Sequence, residues 1–470
     1  MNSYESFLTT TSRPSCADTT AGFLGEISRK QELNAFITVA GESAAASATE
    51  SDARFSEGNP RALEGMVVAL KDNISTAGLR TTCASKILDN FVPVYDATVT
   101  ERLKDAGAVI IGKTNMDEFA MGSSNENSAF GAALHPLDAA YVPGGSSGGS
   151  TVAVAAGMAH TALGTDTGGS VRQPAAFCGI VGFKPSYGRI SRYGVVAFGS
   201  SFDQIGILAP DVATTARVFD AISGRDSRDT TTMDLPPAQS LAALQASFPE
   251  QFTVAVLTDE QLAGCDADVL NIYRKSLECW RKAGARIMPV TIPHSEAWIP
   301  SYYVLATAEA SSNLARFDGV KYGFRAVGEQ EDMTIASRSQ GFGAEVKRRI
   351  MLGTYVLSAG YYDAYFGKAQ RTRRLIYNGY ADIFSRADVI FLPTTPTPAF
   401  RRGEKVNDPV AMYLSDYFTV SANLAGIPAI SVPAGAAPNG LPVGMQLQAR
   451  QFNDERLLQF ANRFFELVQG

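Results

Sequence analysis

The stretch Gly144-Gly-Ser-Ser-Gly-Gly-Ser150 and its downstream echo, Gly164-Thr-Asp-Thr-Gly-Gly-Ser170, organise this chain. Each contains a Gly-Gly-Ser turn, and Lys71 precedes both turns at the end of an apolar run. Glycine tolerates positive φ and has no side chain, so backbone N–H groups and serine hydroxyls can approach a reacting atom closely. Such turns can cradle a phosphate, form an oxyanion hole or simply reverse the chain.

Composition predicts an ordinary globular protein. The 470 residues are 45% hydrophobic and 19% charged with a net charge of −6, which argues against disorder and against wrapping of nucleic acid by bulk electrostatics. An RNA partner would have to be held by another subunit or by a local patch. Five scattered cysteines without a C-x-x-C pair predict neither disulfides nor a thiolate metal site. Without a signal peptide or an apolar run of roughly 20 residues, we expect a cytoplasmic protein with no membrane span.

Alternating helix and strand patterns predict an α/β fold. Apolar runs at 66–70 and 108–113 are typical of buried strands, and a helix is predicted between them at 98–106. We divide the chain into four parts by these patterns. They are a helical N-terminal segment at 1–60, a core with both Gly-Gly-Ser turns at 61–226, a linker with a strand–helix–strand embellishment at 227–299, and the C-terminal part of the core at 300–470.

A phosphate-binding loop is the first functional interpretation of the glycine-rich turns. The nucleotide-binding signature requires a lysine after its glycines to neutralise the phosphates, but no lysine or arginine occurs between Val142 and His160. The dinucleotide-binding pattern belongs in the first βα turn of its fold, with an acidic residue further on, and fits little better. Phosphate binding is therefore weakly supported.

Nucleophilic catalysis by serine is the second interpretation, and it needs a nearby base. Histidine is the usual base, yet none of His135, His160 and His294 lies in a chemically suggestive setting, and the Gly-x-Ser-x-Gly elbow is absent at both turns. A lysine base remains, and it must be buried to lower its pKa from about 10.4. Lys71 follows the run at 66–70 and fits this role, although a lysine after a strand is more often solvated or salt-bridged.

The sequence from 143 to 185 resembles the signature of the amidase-signature family, whose members use a Ser–Ser–Lys triad. The separation of Ser146 and Ser170 matches the family's distance from bridging serine to nucleophile. The resemblance implies that Ser170 forms the acyl intermediate, that Ser146, next to a cis peptide, relays the proton, and that Lys71 is the base. It also implies one large fold with a central mixed β-sheet covered by helices on both faces. The oxyanion hole would consist of backbone N–H groups around Thr167, Gly168, Gly169 and Ser170.

The C-terminal part narrows the resemblance to the glutaminase (A) subunits of the bacterial aspartyl/glutamyl-tRNA amidotransferases. Free glutamine needs a bidentate cation for its α-carboxylate and an anion for its α-amine. The resemblance gives these roles to Arg349 and Asp416, with Tyr302 as a polar wall. Without it, Arg348 and Arg349 would be a surface charge pair, and Asp408 would suit the anion's role as well as Asp416. The stretches that carry this resemblance are 300–323, 343–354, 360–365 and 408–419.

The same resemblance implies partners and a reaction. Ammonia from glutamine would pass to a B subunit that binds tRNA and uses ATP and Mg²⁺ to convert Glu-tRNA(Gln) to Gln-tRNA(Gln), Asp-tRNA(Asn) to Asn-tRNA(Asn), or both. A small C subunit would clasp the pair. This chain itself is expected to hold no metal or cofactor and to contact no membrane. The alternatives are a freestanding amidase that hydrolyses simple or aryl amides, and a non-catalytic scaffold of the same fold.

Overall fold

The structure, a computed structural model, describes residues 3–10, 13–327 and 333–469. In these ranges the chain builds one mixed β-sheet of eleven strands. In chain order the strands are β1 (Phe36–Val39), β2 (Val67–Lys71), β3 (Val109–Thr114), β4 (Thr161–Asp166), β5 (Val181–Lys184), β6 (Gln204–Ala209), β7 (Thr253–Leu257), β8 (Arg286–Val290), β9 (Val389–Pro393), β10 (Ala429–Ala436) and β11 (Pro442–Gln448).

The strand order across the sheet is β1-β3-β2-β4-β6-β5-β10-β11-β9-β7-β8. Strand β2 is parallel to β3 and β4, and β7 is parallel to β8 and β9, whereas the remaining neighbours pair in antiparallel fashion. Every residue of β2, β3, β4 and β6 is buried. Because successive side chains of a strand point to opposite faces, this burial means that both faces of the sheet are covered.

Helices provide that cover. For example, the helix at Arg172–Cys178 packs on β5, β10 and β11, and the last helix packs on β10. The helices of the described ranges are α1 (Tyr4–Thr9), α2 (Cys16–Arg29), α3 (Gly41–Ser56), α4 (Thr98–Asp105), α5 (Gly148–Ala155), α6 (Arg172–Cys178), α7 (Val212–Ile222), α8 (Ser240–Gln245), α9 (Asp259–Leu262), α10 (Ala267–Lys282), α11 (Trp298–Asn313), α12 (Met333–Gly341), α13 (Ala344–Val356), α14 (Lys368–Phe384), α15 (Pro409–Leu414), α16 (Tyr417–Ala425) and α17 (Asp454–Gln469).

The sheet topology gathers the chemically suggestive residues at one edge. Strands β2 and β4 are parallel neighbours, with Val68 opposite Thr161 and Leu70 opposite Leu163. Their carboxyl ends therefore meet at the same edge of the sheet. Lys71 is the last residue of β2, and β4 leads into the second Gly-Gly-Ser turn. Open α/β sheets place their sites at such an edge.

The predicted α/β architecture with a mixed sheet covered on both faces is confirmed. Two details differ from the sequence-based division. The segment at 1–60 is not helical throughout, because β1 pairs with β3 and extends the sheet at its edge. The strand–helix–strand unit at 227–299, formed by β7, α10 and β8, continues the same sheet, since β7 pairs with β9. Apolar alternation identified its strands but could not show which sheet they join.

Candidate active site

Lys71 is fully buried at the end of β2 and contacts hydroxyl and carbonyl oxygens. Its Nζ lies 2.8 Å from Ser146 Oγ, 2.9 Å from Ser147 Oγ and 3.3 Å from the carbonyl oxygen of Thr165. The ammonium group of a salt-bridged lysine would instead face a carboxylate. These contacts bring together the lysine and the relay serine that the sequence pointed to.

Burial sets the charge of this lysine. Loss of hydration lowers the pKa of Lys71 to about 7, so the neutral amine is well populated near neutral pH. Lys113, buried on the neighbouring strand β3, differs because its Nζ lies 3.7 Å from Asp72 Oδ1. Lys71 itself has no carboxylate in contact among the described residues, but three more distant ones oppose the lowering of its pKa. They are Asp117, Asp166 and Asp203.

Ser146 lies in the first Gly-Gly-Ser turn, just before α5, and the peptide bond between Gly145 and Ser146 is cis. The Gly145 N–H donates to Gln173 Oε1 at 3.0 Å. A Cβ atom on Gly145 would collide with Asp117 Oδ2, so only glycine fits between this carboxylate and the turn. The turn thus holds Ser146 Oγ against the lysine.

Ser170 lies between β4 and α6 and is 9% exposed. Its carbonyl oxygen accepts the Ser147 N–H at 3.2 Å, which ties the second Gly-Gly-Ser turn to the first. Within the described part of the chain its hydroxyl has no hydrogen-bond partner. Ser170 Oγ is therefore free to meet a ligand, as a nucleophile must be.

The carboxylate of Asp166 shapes the turn that precedes Ser170. Its oxygens accept the N–H groups of Gly169 at 2.9 Å and Val171 at 3.3 Å. Arg172 binds the same carboxylate in a bidentate manner, through Nη2 at 2.9 Å and Nε at 3.0 Å. Burial alone would raise the pKa of Asp166, but the Arg172 guanidinium holds it at about 2. A fully buried ion pair therefore anchors the turn that carries Ser170.

The predicted oxyanion donors are not equivalent. The Gly169 N–H is directed to Asp166 and not towards a ligand. In the described ranges the N–H groups of Thr167, Gly168 and Ser170 have no acceptor. A Cβ atom on Gly168 would lie 2.6 Å from Cζ of Tyr302, so this ring packs directly on the turn. Gly168 and Ser170, on either side of Gly169, are therefore two of the three N–H donors in this turn without an acceptor among the described residues, and Thr167 is the third.

Arg349 and Arg348 follow each other on α13 but lie in different surroundings. Arg348 is exposed, whereas Arg349 is 3% exposed and its guanidinium lies between aromatic rings. The Arg349 Nε donates to Glu345 Oε1 at 2.8 Å. Its two Nη groups have no acceptor among the described residues, so they remain available for a carboxylate. The rings around this guanidinium, 5.2–5.6 Å from it, belong to Phe198, Tyr303 and Tyr413.

Asp416 is 6% exposed and lies directly before α16. Its Oδ2 accepts the hydroxyl of Ser123 at 2.5 Å, and its buried Oδ1 has no partner in the described ranges. Burial raises the pKa of Asp416 to about 7, against the hydrogen bond from Ser123. Asp408, the chemically equal candidate, is exposed and caps α15 by accepting the Ala411 N–H at 3.0 Å. The structure therefore favours Asp416 over Asp408 as a buried carboxylate that could bind a cationic group.

Tyr302 lies between the turn of Ser170 and the surroundings of Arg349. It is buried on α11, and its ring contacts the backbone of Gly168. Its neighbour Tyr303 lies edge-on to it at 5.0 Å and is one of the rings around Arg349. Burial raises the pKa of the Tyr302 hydroxyl well above its usual value, which keeps it protonated. The rings of Tyr302 and Tyr303 therefore form one aromatic surface between the turn of Ser170 and Arg349.

Comparison with known proteins decides the family. A family model described as Amidase matches residues 18–458. The chain belongs to the amidase family. Among curated amidase-family relatives, the A subunit of glutamyl-tRNA(Gln) amidotransferase from Trichlorobacter lovleyi is 51% identical over 458 residues, covering 97% of this chain and 94% of that protein. The protein of the same name from Chlorobium phaeobacteroides is 52% identical over 449 residues, covering 95% and 94%.

Solved structures of the amidase family share the fold. The crystal structure of the A subunit of glutamyl-tRNA(Gln) amidotransferase from Thermotoga maritima is 40% identical with a TM-score of 0.80, covering 99% of this chain and 97% of that one. The native peptide amidase from Stenotrophomonas maltophilia is 29% identical with a TM-score of 0.82, covering 97% and 94%. The fold alone therefore does not separate these two activities.

Several residues of this amidase-family site were not identified from the sequence. Ser147 Oγ lies 2.9 Å from Lys71 Nζ and Ser146 Oγ lies 2.8 Å from it, although the family resemblance gives a role to Ser146 alone of the two. Gln173 and Ser123 reach the site through long-range hydrogen bonds that no local pattern reveals. Glu345 could have been noticed, because acidic and basic residues four positions apart on a helix pair with each other.

Two kinds of feature are absent from the part of the chain that the structure describes, namely metal-binding clusters and helices able to span a membrane. Residues 3–10, 13–327 and 333–469 contain no group of three or more His, Cys, Asp or Glu side chains arranged to hold a metal ion. No helix in these ranges has both the length and the apolar composition needed to cross a bilayer.

Two of the histidines that were considered as bases are buried and bonded to backbone groups. His135 Nε2 lies 3.0 Å from the Phe177 carbonyl oxygen, and His160 Nδ1 accepts the Val67 N–H.

Proposed function

We propose that this chain is the glutamine-hydrolysing A subunit of a tRNA-dependent amidotransferase. The observation that carries the proposal is the coexistence of two features in one chain. The first is the buried Lys71–Ser146 pair, in a turn that a hydrogen bond from the Ser147 N–H to the Ser170 carbonyl ties to the turn of Ser170, whose hydroxyl has no hydrogen-bond partner among the described residues. The second is a buried cation and a buried anion, Arg349 and Asp416, each with polar atoms left without a partner in the described ranges.

The lysine–serine pair supplies the base. Neutral Lys71 has one lone pair and two N–H groups, which match its three oxygen neighbours. The lone pair takes the proton of Ser146, and Ser146 Oγ takes that of Ser170 as Ser170 Oγ bonds to the amide carbon of glutamine. The carbonyl oxygen becomes an oxyanion, which the N–H groups of Gly168 and Ser170 stabilise.

The second half of the reaction restores the enzyme. Lys71 returns its proton through Ser146 to the amide nitrogen, the C–N bond breaks, and ammonia leaves a γ-glutamyl ester on Ser170. A water molecule then attacks the ester carbon while the same pair accepts its proton. The C–O bond to Ser170 breaks, the Ser170 oxygen regains a proton, and glutamate is released. Each proton that Lys71 accepts is returned within the cycle.

The charged pair explains the choice of free glutamine. The unbonded Nη groups of Arg349 form a fork that suits an α-carboxylate, and the unpartnered Oδ1 of Asp416 suits an α-ammonium group. A simple amide lacks both charges, so it would leave the buried Asp416 without a counter-ion. A buried carboxylate without a counter-ion has a large free-energy cost, which a ligand with an ammonium group would offset.

The names of the relatives extend the proposal to a complex. Both curated relatives are named as the A subunit of a glutamyl-tRNA(Gln) amidotransferase, and this chain covers most of their length. We infer that the ammonia is used by a B subunit that binds tRNA, ATP and Mg²⁺, with a small C subunit, in the cytoplasm. The substrate that these names support is Glu-tRNA(Gln), and Asp-tRNA(Asn) is the second substrate to test.

A freestanding amidase is the second candidate, and one observation favours it: the similar fold of a peptide amidase. The experiment compares ammonia release from glutamine with that from glutamine amidated at its α-carboxyl and from propionamide, for the wild type and Ser170→Ala. The proposal predicts turnover of glutamine far above both amides, and none in Ser170→Ala. Efficient turnover of propionamide with little of glutamine would instead support the freestanding amidase.

A further inference from the structure

The loop between β3 and α5 connects two parts of the proposed site. One part is the pair of Gly-Gly-Ser turns, and the other is the carboxylate of Asp416. Phe119, Ala120 and Asn125 have positive φ values of 49°, 61° and 63°, which non-glycine residues adopt only when the surroundings hold them. Asp117 provides part of that hold, because its carboxylate accepts the N–H groups of Asn125 at 2.8 Å and Asn127 at 3.1 Å. The loop is therefore fixed by its own buried hydrogen bonds.

Ser123 lies at the point where this loop meets both parts. Its carbonyl oxygen accepts Gln173 Nε2 at 2.8 Å, and Gln173 Oε1 accepts the Gly145 N–H at 3.0 Å. The backbone of Ser123 is thus tied to the nucleophile helix α6 and to the turn that carries the relay serine. Its hydroxyl makes a separate contact, donating to Asp416 Oδ2 at 2.5 Å. The structural link and the side-chain link are independent of each other.

The hydroxyl of Ser123 determines how Asp416 is presented. With Oδ2 occupied, Oδ1 is the oxygen that remains without a partner in the described ranges. Burial raises the pKa of this carboxyl to about 7, and the donated hydrogen bond lowers it. Losing that hydrogen bond would both free the carboxyl to rotate and favour its protonated form, which cannot bind an ammonium group. The other charged groups that act on Asp416 include Asp166, Arg349 and Arg172, and Lys405 also interacts with it.

We propose that Ser123 is a positioning residue for substrate selection: its hydroxyl holds Asp416 Oδ2, so that Oδ1 is presented to the α-ammonium group of free glutamine. The inference rests on the proposed glutaminase activity and adds to it the residue that makes Asp416 selective for an α-amino acid. Ser123 does not touch the reacting atoms. Its removal therefore acts on recognition of the α-amino group and not on the chemistry at Ser170.

The test uses the full chain and two substrates that differ only in the α-amino group, glutamine and 4-carbamoylbutanoate. Ser123→Ala removes the hydroxyl and retains the backbone link to Gln173. We expect the KM for glutamine to rise about 10- to 100-fold with kcat changed less than about threefold, as the loss of a hydrogen bond to a charged group implies. The KM for 4-carbamoylbutanoate should stay within about threefold of the wild-type value. Ser124→Ala, a neighbouring buried serine in the same loop, is the matched control.

A double-mutant cycle separates positioning from a general structural role. In an Asp416→Ala background, Ser123→Ala should have no further effect on the KM for glutamine, because the group that it positions is gone. The inference would be overturned if Ser123→Ala raised the KM for both substrates equally, or if it lowered kcat at constant KM. Fully additive effects of Ser123→Ala and Asp416→Ala on the KM for glutamine would overturn it as well. If the wild type hydrolyses 4-carbamoylbutanoate but not glutamine, the proposed function itself is wrong, which is a different result from any of these.

Discussion

Lys71 Nζ and Ser146 Oγ lie 2.8 Å apart in a fully buried setting, where the lysine is bonded to hydroxyl and carbonyl oxygens. This single contact joins the end of strand β2 to the first Gly-Gly-Ser turn. Because burial lowers the pKa of Lys71 to about 7, the contact can carry a proton in either direction near neutral pH. The same Nζ lies 2.9 Å from Ser147 Oγ, so distance alone does not identify the relay.

The two neighbouring serines therefore provide a matched test of the relay. Ser146→Ala should lower kcat by about 10²–10⁴-fold, the usual contribution of general acid–base catalysis. Ser147→Ala should lower kcat by less than about tenfold, since it removes hydrogen bonds to Lys71 and to the Thr165 backbone but no step of the proposed relay. Steady-state ammonia release with glutamine checks both variants. The reverse ranking would assign the relay to Ser147.

Replacement of the base should separate activity from stability. In Lys71→Met we expect no measurable turnover together with a thermal midpoint a few degrees higher at pH 7. The folded-state pKa of Lys71, about 7, lies below the usual lysine value of 10.5, so folding disfavours the charged form. This destabilisation is largest below pH 7 and disappears as pH rises through 10.5. Thermal melts from pH 6 to 10 should show a stability gain that shrinks with rising pH, and a constant loss of stability would contradict it.

The pH dependence of catalysis follows from the same lysine. Only neutral Lys71 can accept the proton, so kcat for glutamine should rise with pH through about 7 and then level off. Burial also raises the pKa of Asp416 to about 7, and its ionised form should bind glutamine, so kcat/KM should rise in the same range and more steeply. A pH–rate profile in buffers of constant ionic strength measures both. An optimum below pH 6 would be incompatible with a lysine base.

The adjacent arginines of α13 provide a second matched pair. Arg349→Ala should raise the KM for glutamine about 10- to 100-fold, because it removes a buried cation from the predicted α-carboxylate site. Arg348→Ala, at the exposed position next to it, should leave KM within about twofold of the wild type. Similar effects of the two variants on KM would mean that glutamine does not bind in the pocket around Arg349.

The buried ion pair of Arg172 and Asp166 leads to a prediction about stability. Arg172→Met would leave the Asp166 carboxylate buried without its counter-ion, and we expect a loss of about 3–5 kcal/mol in the free energy of unfolding. Denaturant unfolding of the wild type and variant measures this difference. The double variant Arg172→Met/Asp166→Asn should recover part of the loss. A single variant as stable as the wild type would mean that the pair does not anchor the turn.

The proposed catalytic residues could be named from the sequence because local patterns mark them. The two Gly-Gly-Ser turns, the apolar run before Lys71 and the family resemblance together identified residues that the structure brings to one edge of the sheet. Their meeting follows from parallel strands, whose carboxyl ends share an edge. Short strands and glycine turns are visible in a single sequence, which is why this part was predictable.

The proposed glutamine-binding residues were harder to distinguish from similar residues nearby, because their surroundings come from distant parts of the chain. Arg348 and Arg349 look alike in sequence, and only the packing of α13 buries one of them. Asp408 and Asp416 each precede a short helix, and the tertiary fold leaves one exposed and covers the other. The contact between Ser123 and Asp416 spans almost 300 positions and leaves no local pattern.

The most direct test is identification of the covalent intermediate. Wild-type protein mixed with glutamine and quenched rapidly in acid is digested, and the peptide that contains Ser170 is analysed by mass spectrometry. The mechanism predicts one γ-glutamyl group on Ser170, absent in Ser170→Ala and strongly reduced in Lys71→Met. Ammonia release by Ser170→Ala at the wild-type rate, or a γ-glutamyl group on another residue, would contradict the central claim that Ser170 attacks glutamine with Lys71 as its base.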